Sequence, residues 1–320
     1  MAGVDKQTKP EGRDAEFGAE FDAGEGASGL PLAPGLYLVA TPIGNLGDMT
    51  LRALDVLRRV DRIACEDTRQ TQKLLNRFQI STATVSCHEH NERACAAGLV
   101  EAMKAGARIA LVTDAGTPAI SDPGGLVVTA AIAAGVAVVP VPGANAAVSA
   151  LVASGLAAGE FRFLGFLPER AGARRTRLEE LAAGVTGERA ETLIFYEAPH
   201  RILETLADLE AVWGPELRVV VARELTKIHE EFLRGTAAAV RQELAGRDRV
   251  RGEMVLLVEA RARTESRGAG EGSGGIRERL ERVQAESGLD EKEALKRLAR
   301  ELGRSKSEVY RELQRERARR

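Results

Sequence analysis

Aromatic side chains make up only 4% of this 320-residue chain, so alanine, valine and leucine must fill its core, as they do where helices pack on a sheet. Cysteine is also scarce. Cys65, Cys87 and Cys95 form an odd set without C-x-x-C spacing, which argues against a disulfide framework and structural zinc and for a reducing compartment. No apolar run approaches the roughly 18 residues of a membrane-spanning helix. The N-terminal residues lack an apolar signal core, so a cytoplasmic location without membrane attachment is expected. Neither G-x-G-x-x-G nor G-x-x-x-x-G-K-[ST] occurs, and dinucleotide and P-loop readings therefore have no direct support. A G-x-S-x-G elbow is missing too, which disfavours α/β-hydrolase chemistry. His88-Glu-His90 has no third ligand at a recognised spacing, so no metal site is expected.

Helix and strand patterns alternate. Leu36–Ala40, Arg62–Cys65, Arg108–Val112 and Ala137–Pro140 read as strands. Thr50–Val60, Thr68–Phe78, Glu92–Ala105, Gly125–Ala134 and Asn145–Ala153 read as helices between and after them. This alternation predicts a largely parallel sheet in an α/β domain over 34–155. A second α/β domain is expected over 156–263. Its strands are Arg162–Leu167, Thr192–Glu197, Arg218–Arg223, Glu231–Arg234 and Glu253–Glu259, and its helices Arg174–Ala182, Arg201–Trp213 and Thr236–Leu244. The late strands lie close together, so that sheet should be mixed, with antiparallel members.

The net charge of −2 conceals an asymmetry. Residues 1–34 hold three Lys/Arg and seven Asp/Glu, a balance of −4, and residues 276–320 hold fourteen and ten, a balance of +4. The polar, Gly-rich stretch 1–33 reads as a disordered acidic tail, and 264–275 as a flexible linker. The basic 276–320 segment reads as a small helical domain. Gly303 separates a helix carrying Leu295, Leu298 and Leu302 from one carrying Val309 and Leu313, and capping-box spacings occur at Asp290/Glu293 and Ser305/Glu308. That pattern is helix-turn-helix-like. A hairpin that packs on the main domain or on a partner subunit fits it equally.

Four loops follow strands: Thr41–Asp48, Cys65–Arg69, the Asp114 loop through Gly124, and Pro140–Asn145. Loops at the carboxyl ends of parallel strands build ligand crevices. Their prolines withhold N–H donors. Carbonyl-rich, acid-bearing loops suit a ligand with a cation and amide-like edges better than a polyphosphate, although tight strand-to-helix turns would explain them too. Further charge gathers at Phe195-Tyr-Glu-Ala-Pro-His-Arg201 and at Arg223–Glu230.

Taken together, Val39–Asp48, Cys65-Glu-Asp-Thr-Arg69, Asp114-Ala-Gly-Thr-Pro-Ala-Ile-Ser-Asp-Pro-Gly124, Val141–Asn145, Phe195–Arg201 and Arg223-Glu-Leu-Thr-Lys227 resemble the ribosomal RNA small subunit methyltransferase I family. That family lies in the tetrapyrrole-methylase-like superfamily of S-adenosylmethionine (SAM) enzymes. The resemblance covers about Leu36 to Ala260 and extends to the C-terminal helical unit. It implies two α/β domains with SAM in the cleft between them, 2′-O-methylation of a cytidine ribose in 16S rRNA near the decoding centre, 16S rRNA or the small subunit as partner, and a homodimer.

The implied SAM-binding positions are Pro42, Asp114, Ala115, Gly116, Thr117, Ile120, Asn145, Ala146, Tyr196, Glu197 and Leu225. For the hydroxyl proton the candidates are Glu66, Asp67 and Glu230. Arg69, Arg201, Arg223 and Lys227 could hold phosphates or steady a developing alkoxide. Glu66, Arg69 and Lys227 rank first, and Asp67 could instead cap the helix starting at Thr68. Tetrapyrrole methylases carry a more glycine-rich first loop than Thr-Pro-Ile-Gly-Asn-Leu, which favours the RNA branch. Two rivals stay open: C-methylation of a tetrapyrrole precursor, and a non-catalytic RNA-binding module.

Overall fold

The computed structural model describes residues 32–185, 190–261, 276–288, 290–301 and 306–318. The expected acidic tail (all but Leu32 and Ala33), the 264–275 linker, the Gly303 turn and Ser305 lie outside them. Two compact units divide between Arg263 and Thr264.

The first unit is α/β and contains two five-stranded sheets. Its opening half runs β1 (Gly35–Val39), α1 (Leu51–Arg59), β2 (Arg62–Cys65), α2 (Thr68–Arg77), β3 (Thr84–Ser86), α3 (Glu92–Lys104), β4 (Arg108–Val112), α4 (Gly125–Ala133), β5 (Val138–Val141) and α5 (Ala146–Ser154). The sheet order is β3-β2-β4-β1-β5, and every pairing is parallel. Apolar side chains cover both faces, as a parallel sheet requires. Val39, Leu57, Ile63 and Leu75 pack on one side, and Leu36, Ile109, Leu99 and Val127 on the other. Fully burying each such side chain contributes about 1.5–3 kcal/mol.

Helix starts follow local chemistry. Thr50 accepts from the Ala53 N–H at 3.1 Å, Asp67 from the Arg69 N–H at 2.8 Å, and Asn145 from the Val148 N–H at 3.1 Å. Each satisfies a donor that the first helical turn leaves unpaired. α4 has no such cap of its own. Instead Glu92, buried on α3, accepts from the N–H groups of Gly124 and Leu126, both at 2.9 Å. Its carboxylate lies at the positive end of α4. Gly124 adopts φ +129°, and a Cβ there would come within 2.9 Å of Leu111.

The second half continues with β6 (Phe161–Phe166), α6 (Ala171–Gly184), β7 (Glu191–Glu197), α7 (Ile202–Trp213), β8 (Arg218–Arg223), β9 (Glu231–Thr236), α8 (Ala237–Ala245) and β10 (Met254–Ala260). The order is β6-β7-β10-β8-β9. β6 pairs with β7 in parallel, and the other pairings are antiparallel, giving the expected mixed sheet. The central strand β10 is buried at all seven residues. α5 joins the halves: Ala147, Ala150 and Leu151 pack with Ile43 of the first and with Ile194, Val220 and Val255 of the second. Arg234 of β9 donates to the carbonyls of Ala153 (2.7 Å) and Ser154 (3.2 Å), a cation at the negative end of α5.

Beside β9, the Arg247 guanidinium, with Arg223 adding to it, holds the Glu231 carboxyl down to about 2. A depressed carboxylate pKa contributes stability above the unfolded value and loses it as pH falls toward the folded value. Glu231→Gln should therefore melt below the wild type at neutral pH, and the two should converge as the pH falls toward 2. A gap that persists in acid would show that packing, not charge, is responsible.

The second unit holds α9 (Ile276–Ser287), α10 (Glu291–Glu301) and α11 (Lys306–Ala318). Three described helices thus stand where two were expected, because Ile276, Leu280 and Val283 already form an apolar stripe that packs with Leu295, Leu298, Val309 and Leu313. Asp290 accepts from the Glu293 N–H at 2.7 Å, the first half of the expected capping box. Glu316 accepts from the N–H groups of Ile276 (3.1 Å) and Arg277 (3.0 Å) at the start of α9. No described helix is long and apolar enough to cross a membrane.

Candidate functional site

In the first sheet β1 lies between β4 and β5, so the loops leaving these three strands meet. Thr41 and Gly116 exchange backbone hydrogen bonds at 2.9 and 3.0 Å. The Thr41 hydroxyl donates to the Thr113 carbonyl at 3.2 Å. The Thr117 hydroxyl donates to the Ala144 carbonyl at 3.2 Å, and the Asn145 amide donates to Thr117 Oγ1 at 3.4 Å. Polar groups that could face a ligand thus brace the loops first.

These loops and the edge of the second sheet enclose a cavity of about 340 Å³, within the range of small-molecule sites. Ala115, Gly116, Thr117, Ile120, Asn145 and Ala146 line it from the first half, and Tyr196, Glu197 and Leu225 from the second. Nine of the eleven expected cofactor positions therefore converge. Pro42 and Asp114 stand outside the lining, although Ile43, beside Pro42, belongs to it. Glu197 faces the cavity with its carboxylate already engaged. It accepts from the Thr205 hydroxyl at 2.6 Å and the Ala198 N–H at 2.8 Å, and lies 3.2 Å from Arg201 Nε.

The three first-ranked catalytic candidates, Glu66, Arg69 and Lys227, do not line the cavity, nor does Glu230. Arg69 is 87% exposed and paired with Asp67, which also caps α2; the arginine holds the Asp67 carboxyl down to about 2. The Glu230 carboxylate accepts from the Thr226 N–H at 2.6 Å and so closes its own loop. Lys227 donates to Glu224 at 2.8 Å and to Glu253, which does line the cavity, at 2.9 Å. Burial works against the Lys227 charge, but the two carboxylates outweigh it and raise its pKa. Its stem packs so closely on Gly44 that a Cβ there would lie 2.4 Å from Lys227 Cγ. The lysine thereby joins the first loop to the second sheet. Burial, then Asp114 and Asp67, push the Glu66 carboxyl up.

Several lining residues carried no expectation: Ser121, Asp122, Phe166, Pro199, Glu253 and Met254. Phe166 is 58% exposed and sits edge-on to Tyr196, with ring centroids 5.7 Å apart. A bulge between Phe163 and Gly165 shifts the register of β6; Gly165 adopts φ +65°, and a Cβ there would come within 3.3 Å of Ser121. Asp122 is the lining acid with the most perturbed titration. Burial, followed by the charges of Glu66 and Asp114, raises its carboxyl to about 6. Among the described residues, four of the five non-glycine residues with positive φ, Ala119, Ser121, Glu224 and Thr226, lie in the two loops beside the cavity. Strain of this kind persists where the surrounding structure enforces it, and it concentrates at functional sites.

The lining fits a methyl donor with a cationic sulfur. Apolar Ile43, Ile120, Ala146, Leu225 and Val255 suit an adenosine moiety, while Thr117, Asn145 and backbone groups offer polar edges. Gly116, at φ +85°, leaves open space that a Cβ would fill up to 3.4 Å from Ile43. No lysine or arginine is among the lining residues, which argues against a polyphosphate.

Fold and cavity define a methyltransferase of the tetrapyrrole-methylase class. Residues 35–241 match the family model described as Tetrapyrrole (Corrin/Porphyrin) Methylases, and residues 280–316 match the Helix-turn-helix domain model. The solved uroporphyrin-III C-methyltransferase from Thermus thermophilus, complexed with S-adenyl homocysteine, shares the fold at 19% identity, with a TM-score of 0.50 over 70% of this chain and 96% of that one.

Sequence relatives narrow the class. The ribosomal RNA small subunit methyltransferase I of Halalkalibacterium halodurans is 53% identical over 224 residues, 70% of this chain and 75% of the relative. That of Vibrio cholerae is 54% identical over 227 residues, 71% and 77%. The chain belongs to the ribosomal RNA small subunit methyltransferase I family.

Proposed function

We propose that this protein transfers the methyl group of SAM to the 2′-hydroxyl of a cytidine in 16S rRNA, near the decoding centre of the small ribosomal subunit. The carrying observation is that the segments Asp114–Gly124, Val141–Asn145, Phe195–Arg201 and Arg223–Lys227 all contribute to one cavity in a chain about half identical to enzymes of that name. Bound SAM supplies an electrophilic methyl on a positively charged sulfur. Ala115, Gly116, Thr117, Ile120, Asn145, Ala146, Tyr196, Glu197 and Leu225 would hold it, with Pro42 and Asp114 fixing the loops from outside the lining. The protein's main task is then positioning: the ribose oxygen must sit about 3 Å from the methyl carbon, in line with the departing sulfur. Lys227 and Glu230 act by holding the second-sheet loop, while Glu66 acts through its charge. Arg69, exposed in the first turn of α2 and paired there with Asp67, could exchange that carboxylate for an RNA phosphate.

Labelled-methyl transfer from SAM to 30S subunits, naked 16S rRNA and tetrapyrroles tests this reading. Label on a ribose of the small-subunit RNA is expected. Label on a tetrapyrrole alone would assign the chain to the C-methylating branch, and donor binding without transfer to any acceptor would favour a binding module. We place the protein in the cytoplasm, as a homodimer, on the same family grounds.

The basic helical unit would add affinity through phosphates rather than by reading sequence. Removing residues 276–320 should weaken rRNA binding and flatten its dependence on salt. An unchanged salt slope in a filter-binding titration would assign that unit another role.

A further inference from the structure

We propose that Asp122 accepts the proton of the ribose hydroxyl during methyl transfer, a role that rests on the rRNA-methylation reading above. Asp122 lines the cavity on the loop strained at Ala119 (φ 66°) and Ser121 (φ 62°), whose far end is pinned by Glu92 through Gly124. Cavity position together with an unengaged carboxylate separates it from the other acids nearby. Glu197 is engaged by Thr205 and Ala198, and Glu253 by Lys227. Glu230 is taken by the Thr226 N–H, and Asp67 by Arg69. Glu66 and Asp114 do not line the cavity. Among the described residues, no hydrogen bond or ion pair holds the Asp122 carboxylate.

The surroundings also suit the chemistry. The groups facing Asp122 are Glu66 at the end of β2, Asp114 after β4 and the Tyr196 phenol of β7; His88 in turn faces Glu66. Burial, then two neighbouring acids, raises the carboxyl to about 6, so it is ionised at neutral pH yet more basic than an ordinary carboxylate, and a base works best when its pKa lies near the working pH. In the step, the ribose O2′ bonds to the methyl carbon, and the sulfur–methyl bond breaks with its electron pair left on sulfur. The hydroxyl proton passes to Asp122 and then to water.

The test uses the full chain with 30S subunits, comparing wild type with Asp122→Asn and Asp122→Glu. Donor affinity is measured by calorimetry, and single-turnover rate is followed across pH. A charge that the fold holds at a raised pKa is destabilising when ionised, so the asparagine variant should melt no lower than the wild type at neutral pH. The wild-type rate should climb as pH rises through about 6. Asp122→Asn should bind SAM within about threefold of normal, lose about 10²–10⁴-fold in rate, and show no such climb. Asp122→Glu should recover part of the rate and the climb. A wild-type rate in Asp122→Asn with the climb intact overturns the role, as does a loss that saturating SAM restores. Wild-type protein that binds SAM yet methylates no ribose overturns the substrate reading together with the role, whereas normal wild-type transfer beside an unaffected variant overturns the role alone.

Discussion

Alanine in place of Asp208 should lower the unfolding free energy by about 3–5 kcal/mol, the range for removing one partner of a buried ion pair. Arg174 and Asp208 have side chains only 1% and 3% exposed and meet at 2.7 Å. Arg174 also donates to the Glu169 carbonyl at 3.3 Å and to Glu204 at 3.1 Å, and Arg175 reaches the second Asp208 oxygen at 2.5 Å. Without Asp208, a guanidinium between α6 and α7 would remain buried without its closest counter-charge. Domains are stable by only about 5–15 kcal/mol in total, so the loss would be visible in any chemical denaturation curve. The double change Arg174→Met with Asp208→Leu should recover much of it, because a packed apolar pair often replaces a buried ion pair without loss. A single-variant loss under 1 kcal/mol, or a double variant worse than the single, would show that the pair is not the strut described.

Glu92→Ala should affect stability and ligand binding together. Its carboxylate satisfies two backbone donors, at Gly124 and Leu126; the buried Gly124 N–H left unpaired costs about 1–3 kcal/mol, and the half-exposed Leu126 N–H less. Those donors terminate the loop that carries Thr117, Ile120 and Asp122 into the cavity, so donor affinity should fall as well as melting temperature. Glu92→Gln keeps an oxygen acceptor and should be milder in both. A destabilised Glu92→Ala protein that binds SAM at wild-type strength would show that the Thr41–Gly116 exchange and Asn145 suffice to hold the loop.

Much of this arrangement is legible along the chain because it is built from local signals. Strand runs such as Arg108–Val112 end in proline- and glycine-bearing loops, and those loops do meet at the cavity. What escapes linear reading is set by partners distant in sequence. Asp122 stands in plain view within Asp114–Gly124, yet its perturbed carboxyl arises first from burial in the folded cavity and then from Glu66, which arrives from the end of β2. Lys227 reads as a free cation until Glu224 and Glu253 are seen to claim it. Phe166 reads as an ordinary strand residue until the bulge at Gly165 places it on the rim. β3 is only three residues long and half-buried, too short for alternation to register. By contrast, α9 does carry helical spacing at Ile276, Leu280 and Val283, a signal that its dense charge disguises.

The placement of β10 governs how the nascent chain can mature. Residues 35–141 supply every strand of the first sheet, so that sheet can assemble before translation reaches the second. The second sheet cannot: its middle strand, Met254–Ala260, is the last to emerge and must insert between β7 and β8. Until then β7 and β8 present unsatisfied apolar edges, which are templates for aggregation. Polypeptides truncated before Met254 should therefore accumulate as insoluble material, while truncation after Ala260 should spare solubility.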